Sequence, residues 1–263
     1  MPVTLNLSPS LDVRESREFA SEIKFQVAEF AGEEILEWVR ARLSPDPNAT
    51  DEGHDGCYQI TSLYFDTENF DVYHRNGSFG RSKYRIRRYG PGKVVFLERK
   101  LKTRGLVSKR RAAVNRDELE RLQDGEPDAG WPGFWFHQRL LARRLRPVCQ
   151  ISYHRIARVA LTKYGPIRLT VDRCVRAVPL NATAFNDLAP GVELSDDQVI
   201  VEFKFRVGMP VLFKELVEKF ALTPKRVSKY RLAAVALGLV QAPEPPQPPD
   251  PILQLPNPPC LSS

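Results

Sequence analysis

The sequence predicts an α+β fold in which strands with one apolar and one charged face alternate with a few amphipathic helices. Two observations carry this expectation. At least six stretches alternate with period two, and their polar positions are filled mostly by Lys, Arg and Glu; on a strand, side chains two apart share a face. The longest of them is a hairpin. In SKYRIRRYGPGKVVFLERKLKTRGLVSK (Ser82–Lys109), Lys83, Arg85, Arg87 and Tyr89 alternate with Tyr84, Ile86 and Arg88. After Gly90-Pro91-Gly92 a second run places Glu98 and Lys100 two apart, and two such runs joined by a Gly/Pro turn read as a β-hairpin.

Residues 1–16 are polar and rich in Pro and Ser, and are expected to be disordered. Glu22–Val27 is a strand with Ile23, Phe25 and Val27 on one face, and Gly32–Leu43 an amphipathic helix with Ile35, Leu36 and Val39 on one side. Ser44–Gly56 is a loop by composition, and Gln59–Phe65 a strand. Beyond the hairpin, Leu106–Val114 puts Lys109 and Arg111 on one face. Asp117–Leu122 is a short helix, with Asp117 near its cap, and Phe134–Leu145 a longer one that ends before Pro147. Strands return at Val148–Ala160 (Ile151, Tyr153 and Arg155 together), Ile167–Val171 and Val199–Arg206. In the last of these Glu202, Lys204 and Arg206 oppose Val201, Phe203 and Phe205. A helix from Met209 to Phe220, a basic loop or short strand at Thr223–Lys229 and a helix over Tyr230–Val240 complete a domain spanning 17–241. The proline-dominated tail, 242–263, is expected to be extended and disordered.

Composition narrows the function classes. With 263 residues, 42% of them apolar, the chain can bury the core of one large domain or two small ones. Lys and Arg outnumber Asp and Glu by 39 to 32, a net charge of +7 that points to a polyanionic ligand, although a basic balance also serves solubility. No apolar run approaches the ~20 residues that span a bilayer, and the N-terminus lacks the pattern of a secretory signal. A cytoplasmic protein without direct membrane insertion is expected. Cys57, Cys149, Cys174 and Cys260 show no CxxC spacing, so unpaired thiols are expected rather than a zinc site or redox pair. His54, His74, His137 and His154 are scattered, which argues against histidine-led catalysis and a His-based metal site.

The charged strand positions are Lys24, Arg85, Arg87, Glu98, Lys100, Lys109, Arg155, Arg168, Glu202 and Lys204. Two arrangements accommodate them: open sheets with a solvated charged face, or a barrel with a polar lumen and an apolar exterior sheathed by helices. Cations so numerous would repel one another unless an anion held them. An extended phosphate chain fits, with Arg as bidentate partner and Lys as point charge; the carboxylates would then hold a divalent metal. The residues alone leave both arrangements open.

Linked motifs add a resemblance. In order they are EIKF (Glu22–Phe25), SLYFDT (Ser62–Thr67), KYRIRRYG (Lys83–Gly90), LERK (Leu97–Lys100) and SKRR (Ser108–Arg111). SYHRIA (Ser152–Ala157), IRLTVD (Ile167–Asp172), VEFKF (Val201–Phe205) and SKY (Ser228–Tyr230) follow. The set resembles the VTC polyphosphate polymerase domains, a branch of the triphosphate tunnel metalloenzymes that also include the CYTH phosphatases. The resemblance runs from Glu22 to Ala234 and implies an eight-stranded antiparallel β-barrel, a tunnel with a charged lumen that threads inorganic polyphosphate.

It further implies phosphate binding by Lys24, Arg85, Arg87, Lys100, Lys109, Tyr153, Arg155, Arg168, Ser228 and Lys229. Glu202 would hold Mn²⁺ or Mg²⁺, with Glu98 as a second acidic candidate. The implied reaction moves the γ-phosphate of ATP onto a growing polyphosphate chain, with a separate membrane partner for export. One departure matters: CYTH members open with ExExK, whereas here the first position is Ala20, ahead of Glu22 and Lys24. A tripolyphosphate or nucleoside triphosphate hydrolase in the same tunnel is the enzymatic rival, and a non-catalytic polyphosphate-binding module is another. Nucleic acid is disfavoured, because no disordered basic arm accompanies the aromatics. Asp172 and Arg173 read as a structural turn or pair, and Lys83 and Arg99 as bystanders.

Overall fold

The computed structural model of the chain describes residues 21–47, 56–79, 82–103 and 106–242. The N-terminus expected to be disordered, 1–16, and all of the proline-rich tail except Ala242 lie outside these residues. Ten strands form one antiparallel sheet: β1 (Ser21–Ala28), β2 (Ser44–Pro45), β3 (Tyr58–Asp66), β4 (Ser82–Tyr89), β5 (Val94–Thr103), β6 (Leu106–Asn115), β7 (Arg146–Thr162), β8 (Gly165–Pro179), β9 (Val192–Glu193) and β10 (Gln198–Phe205). The main path runs β1-β10-β8-β7-β3-β4-β5-β6, with the two-residue strands β2 and β9 added to β7 and β8.

The expected eight-stranded barrel is therefore corrected. Among the described residues eight strands do make the continuous path, but the sheet has ten, and its edge strands β1 and β6 do not pair to close it. At Lys24 of β1 the backbone carbonyl is taken by the N–H of Lys225 (2.8 Å), from the segment after the fourth helix, rather than by another strand. The sheet nevertheless curls. Lys100 of β5 reaches Glu22 of β1 at 2.5 Å, although the two strands stand near opposite ends of the path.

The alternating sequence explains which way it curls. Among the described residues five α-helices accompany the sheet: α1 (Glu29–Arg40), α2 (Asp71–His74), α3 (Phe134–Ala142), α4 (Val211–Lys219) and α5 (Lys229–Ala236). The apolar outer face carries Phe25, Leu169, Val171, Val201 and Phe203, which pack under Ile35, Leu36 and Val39 of α1 and Phe213 and Leu216 of α4. Phe203 stacks on Phe213 with ring centroids 4.3 Å apart. Gly32 lets α1 lie close, since a Cβ there would fall 2.5 Å from the Val199 Cγ2. On the other half of the exterior, Leu63, Phe65, Tyr84, Ile86 and Leu97 pack with Trp135, Phe136 and Leu140 of α3. Each such side chain stabilises the fold by roughly 1.5–3 kcal/mol through burial, and this holds the apolar face outward against helices.

α5 is placed differently. Its Tyr230 stacks on Tyr64 (5.4 Å), a residue of the inner face, and Ala233 and Ala234 are fully buried. The Tyr230 hydroxyl donates to Asp66, which also accepts from the N–H groups of Thr67, Val72 and Tyr73 and so anchors α2 as well. α5 thus occupies the charged side of the sheet.

Several boundaries differ from the sequence reading. β8 continues through Asp172 and Arg173 to Pro179: Asp172 pairs with Arg155 of the neighbouring β7 and Arg173 with Glu33 of α1, so these charges do not end the strand. The short helix expected at Asp117–Leu122 is a 3₁₀ helix over Arg116–Gln123, capped by an Asn115–Glu118 capping box rather than near Asp117. α5 ends at Ala236, four residues before the expected Val240. Strand β2 lies in the expected loop at 44–56. Among the described residues, no helix is long and apolar enough to cross a membrane.

Candidate functional site

Strand register puts the expected strand-borne site residues on one face. Lys24 lies opposite Glu202; Arg85 opposite Tyr64 on one side and Glu98 on the other; Lys100 opposite Lys83 and Lys109. Tyr58, opposite Arg155, shares its face of β3 with Ser62 and Tyr64. The residues fall into linked clusters.

Glu98 is fully buried and accepts from Arg85 (2.7 Å), Lys109 (2.5 Å) and Arg111 (2.6 Å). Burial disfavours its charge, yet Arg85, Lys109, Arg87 and Arg111 outweigh that and hold its carboxyl well below the usual range. Burial likewise works against Arg85, and Glu98 reverses it, raising the guanidinium well above its ordinary value. Lys109 is pushed down to about 7 by burial, against the pull of Glu98. Arg111 lies over the Phe96 ring (4.1 Å) and donates to the Tyr89 hydroxyl (2.8 Å). Burial raises the Tyr89 phenol, but Arg87, Arg111 and Lys109 bring it down to about 7.

Deeper in, Arg87 is 5% exposed and donates to Ser62 Oγ (3.1 Å) and the Tyr153 hydroxyl (3.0 Å). Asp172 is fully buried and takes Arg155 in a bidentate pair (2.6 and 2.7 Å), with Lys229 at 2.5 Å. Burial opposes its charge, but Arg155 and Lys229 pull its pKa down to about 2. Burial lowers Lys229 to about 8 despite Asp172. Ser228, the N-cap of α5, accepts from Lys83 at 2.6 Å.

A third group joins β1, β10 and β5. Lys24 pairs with Glu202 at 3.0 Å and Lys100 with Glu22 at 2.5 Å. Burial raises the Glu202 pKa, but Lys24, Lys100, Arg155 and Lys229 hold it well below the ordinary range. Burial lowers Lys24, but Glu202 and Glu22 outweigh it and leave the ammonium raised; for Lys100 burial prevails and the shift is downward. Arg168 sits apart, bound to Asp46 (2.5 Å) and the Tyr58 hydroxyl (2.9 Å).

Three readings change with this geometry. Glu98, expected as a metal ligand, has its carboxylate engaged by three cations, so an ion there would have to displace them. Asp172 and Arg173 form neither a turn nor a pair with each other: Asp172 is a buried mid-strand carboxylate paired with Arg155 and Lys229, and Arg173 pairs with Glu33. Lys83 is no bystander: burial and its neighbours Lys24, Lys100 and Arg85 hold its pKa well below the ordinary value. Glu22, Arg111 and Tyr89 were missed as site residues, although each continues an alternation already marked by Lys24, Lys109 or Arg87. Asp46 carried no signal, because it stands in a Pro-, Asp- and Gly-containing stretch that reads as a loop.

Glu202 and Glu22 fit a divalent ion better. They lie on adjoining strands, and both act on Lys24 and on Lys100. Among the described residues no three His, Cys, Asp or Glu side chains converge as a ready-made cage. An ion taken up together with phosphates needs only one or two carboxylates.

A curled antiparallel sheet with a cation-rich inner face and a helix-covered apolar exterior is the architecture that the residues build. The VTC domain family model matches residues 19–237, and the chain belongs to that family, as the motif resemblance implied. No curated protein matches the sequence. Solved structures similar to it include a candidate adenylate cyclase from Bacillus halodurans, 15% identical, covering 79% of this chain and 92% of that one with a TM-score of 0.48. A Pyrococcus horikoshii protein is 13% identical over 81% of this chain and 97% of its own, with a TM-score of 0.45. A candidate adenylyl cyclase from Hippeastrum, described as having a dominant triphosphatase activity, is 12% identical over 81% and 93%, with a TM-score of 0.44.

Proposed function

We propose that the channel binds nucleoside triphosphate and polyphosphate and transfers the γ-phosphate of ATP to the end of a polyphosphate chain. The observation that carries this reading is the crowding of Lys24, Arg85, Arg87, Lys100, Lys109, Arg155 and Lys229 on the inner face of a VTC domain. Glu22, Glu98, Asp172 and Glu202 only partly offset these charges, so the interior holds a surplus of cations that a polyanion would neutralise. No protein nucleophile is required: a terminal phosphate oxygen attacks in line and ADP leaves. Arg85, Arg87, Arg155 and Arg168 would bind the triphosphate and stabilise the transferring group, each already oriented by a carboxylate, hydroxyl or phenol partner. Lys24, Lys100, Lys109 and Lys229, with Ser228 and Tyr153, would hold donor and product phosphates. Glu202 and Glu22 would hold Mn²⁺ or Mg²⁺, which when bound supplies charge neutralisation at phosphate oxygens. Export of the product falls, on this reading, to a separate membrane protein.

Incubating the purified protein with ATP and Mn²⁺ tests the proposal. Long polyphosphate supports it, and Arg87→Ala or Glu202→Ala should abolish its formation. Orthophosphate as sole product assigns the channel to hydrolysis, and tight polyphosphate binding without ATP turnover makes it a binding module.

A further inference from the structure

We infer that Asp172 is a positioning residue of this site, holding Arg155 of β7 and Lys229 of α5 in the mutual arrangement that a bound phosphate meets. The inference rests on the proposed phosphoryl transfer. Asp172 has no exposed surface, and three charge-assisted bonds use both its oxygens: Arg155 Nε on Oδ1, and Arg155 Nη2 and Lys229 Nζ together on Oδ2. Two cations that share one oxygen are held side by side, which they would not adopt alone because like charges repel. The bidentate pair also fixes the plane of the guanidinium, so its outward edge has a single orientation.

The second half of the observation is where Lys229 stands. It opens α5, and the residues on either side of it are tied to other strands: Ser228 to Lys83 of β4, and Tyr230 to Asp66 at the end of β3. Of these three anchors only the Lys229–Asp172 contact joins the helix to an arginine placed for phosphate. Asp172 therefore links the seating of α5 to the geometry of Arg155.

Binding and turnover separate the two roles. In Asp172→Asn the carboxylate no longer competes with phosphate for Arg155 and Lys229, so the tripolyphosphate Kd, read by calorimetry, should be equal to or tighter than wild type. Polyphosphate formation from ATP and Mn²⁺ should fall at least about tenfold in kcat, because the released cations lose their alignment. Asp172→Glu keeps the charge but moves it by one methylene. It is expected to fold and to lose about fivefold or more in kcat with Kd within about threefold, which keeps the test available if the Asn variant does not fold. Wild-type kcat in either folded variant overturns the inference. So does a Kd weakened in step with the melting temperature, the signature of a purely structural group. A wild-type protein that makes no polyphosphate overturns the reading underneath instead; the Asp172→Asn Kd then decides, a weakened value overturning the positioning role and an equal or tighter one supporting it.

Discussion

Lys100 and Glu22 form an ion pair across the interior, 2.5 Å apart, joining the seventh strand of the sheet path to the first. The pair spans the seam where β1 and β6 approach without pairing, so it contributes to curling the sheet. It is neither surface nor core, with side chains 26% and 12% exposed. Glu22→Gln should therefore cost about 1–2 kcal/mol, between the surface and buried limits, and lower the melting temperature by about 3–6 °C. Amide exchange should quicken in β1 and β6 before β7 and β8; uniform quickening would mean that the pair does not hold the seam.

Glu98 and Glu202 were both expected to bind metal, and their surroundings now separate them. Glu98→Gln removes a fully buried carboxylate and leaves the mostly buried Arg85, with the partly exposed Lys109 and Arg111, without their shared partner. Denaturant unfolding should show a loss of about 3 kcal/mol, while Mn²⁺ affinity in the presence of tripolyphosphate stays near wild type. Glu202→Gln should do the reverse and weaken Mn²⁺ binding. A Glu98 variant of normal stability that no longer binds Mn²⁺ would restore the original assignment.

Much of this site was legible because strand alternation is strict: once Arg85 and Arg87 face inward, Lys83 and Tyr89 must follow, and helix packing on Ile86 and Leu97 fixes which side is in. Two things were not legible. Whether a carboxylate binds metal or cations depends on neighbours far along the chain: Arg85 and Arg111, each thirteen residues from Glu98, meet it only through strand register. The fate of α5 was also hidden. Tyr230, Ala233 and Ala234 read simply as an apolar helix, and nothing local says that they pack on the charged side of the sheet. Closure failed for a related reason, since the chain leading into α5 claims the Lys24 carbonyl.

On the inner face Lys109 titrates at about 7 and Lys229 at about 8, both lowered first by burial, and Lys83 is held well below its ordinary value by burial and its cationic neighbours. A bound polyanion favours the charged forms of these lysines and the neutral form of the Tyr89 phenol, so tripolyphosphate binding at pH 8 should take up at least about one proton. Affinity should weaken as pH rises from 7 to 9. Calorimetry in two buffers of different ionisation enthalpy measures the uptake, and comparison with Lys109→Met cancels the ionisation of the phosphate itself. Identical uptake in the wild type and this variant would remove Lys109 from the set that titrates on binding.

The acid limit of stability follows from the carboxylates. Asp172 titrates at about 2 in the folded chain against an ordinary 3.8, and Glu98 and Glu202 are held well below 4.5. For an acid whose folded pKa is depressed, the unfolded chain binds the proton first, so the stabilisation is fully present above the unfolded pKa. It is lost as pH falls through the folded one. Asp172 alone should contribute on the order of 2 kcal/mol at pH 6, declining between about pH 4 and pH 2. Urea unfolding across that range should show the wild type losing stability steeply. Asp172→Asn, already without this contribution, should show a shallower decline and approach the wild type at the lowest pH. Parallel profiles separated by a constant offset would mean that Asp172 stabilises by packing and not by its charge.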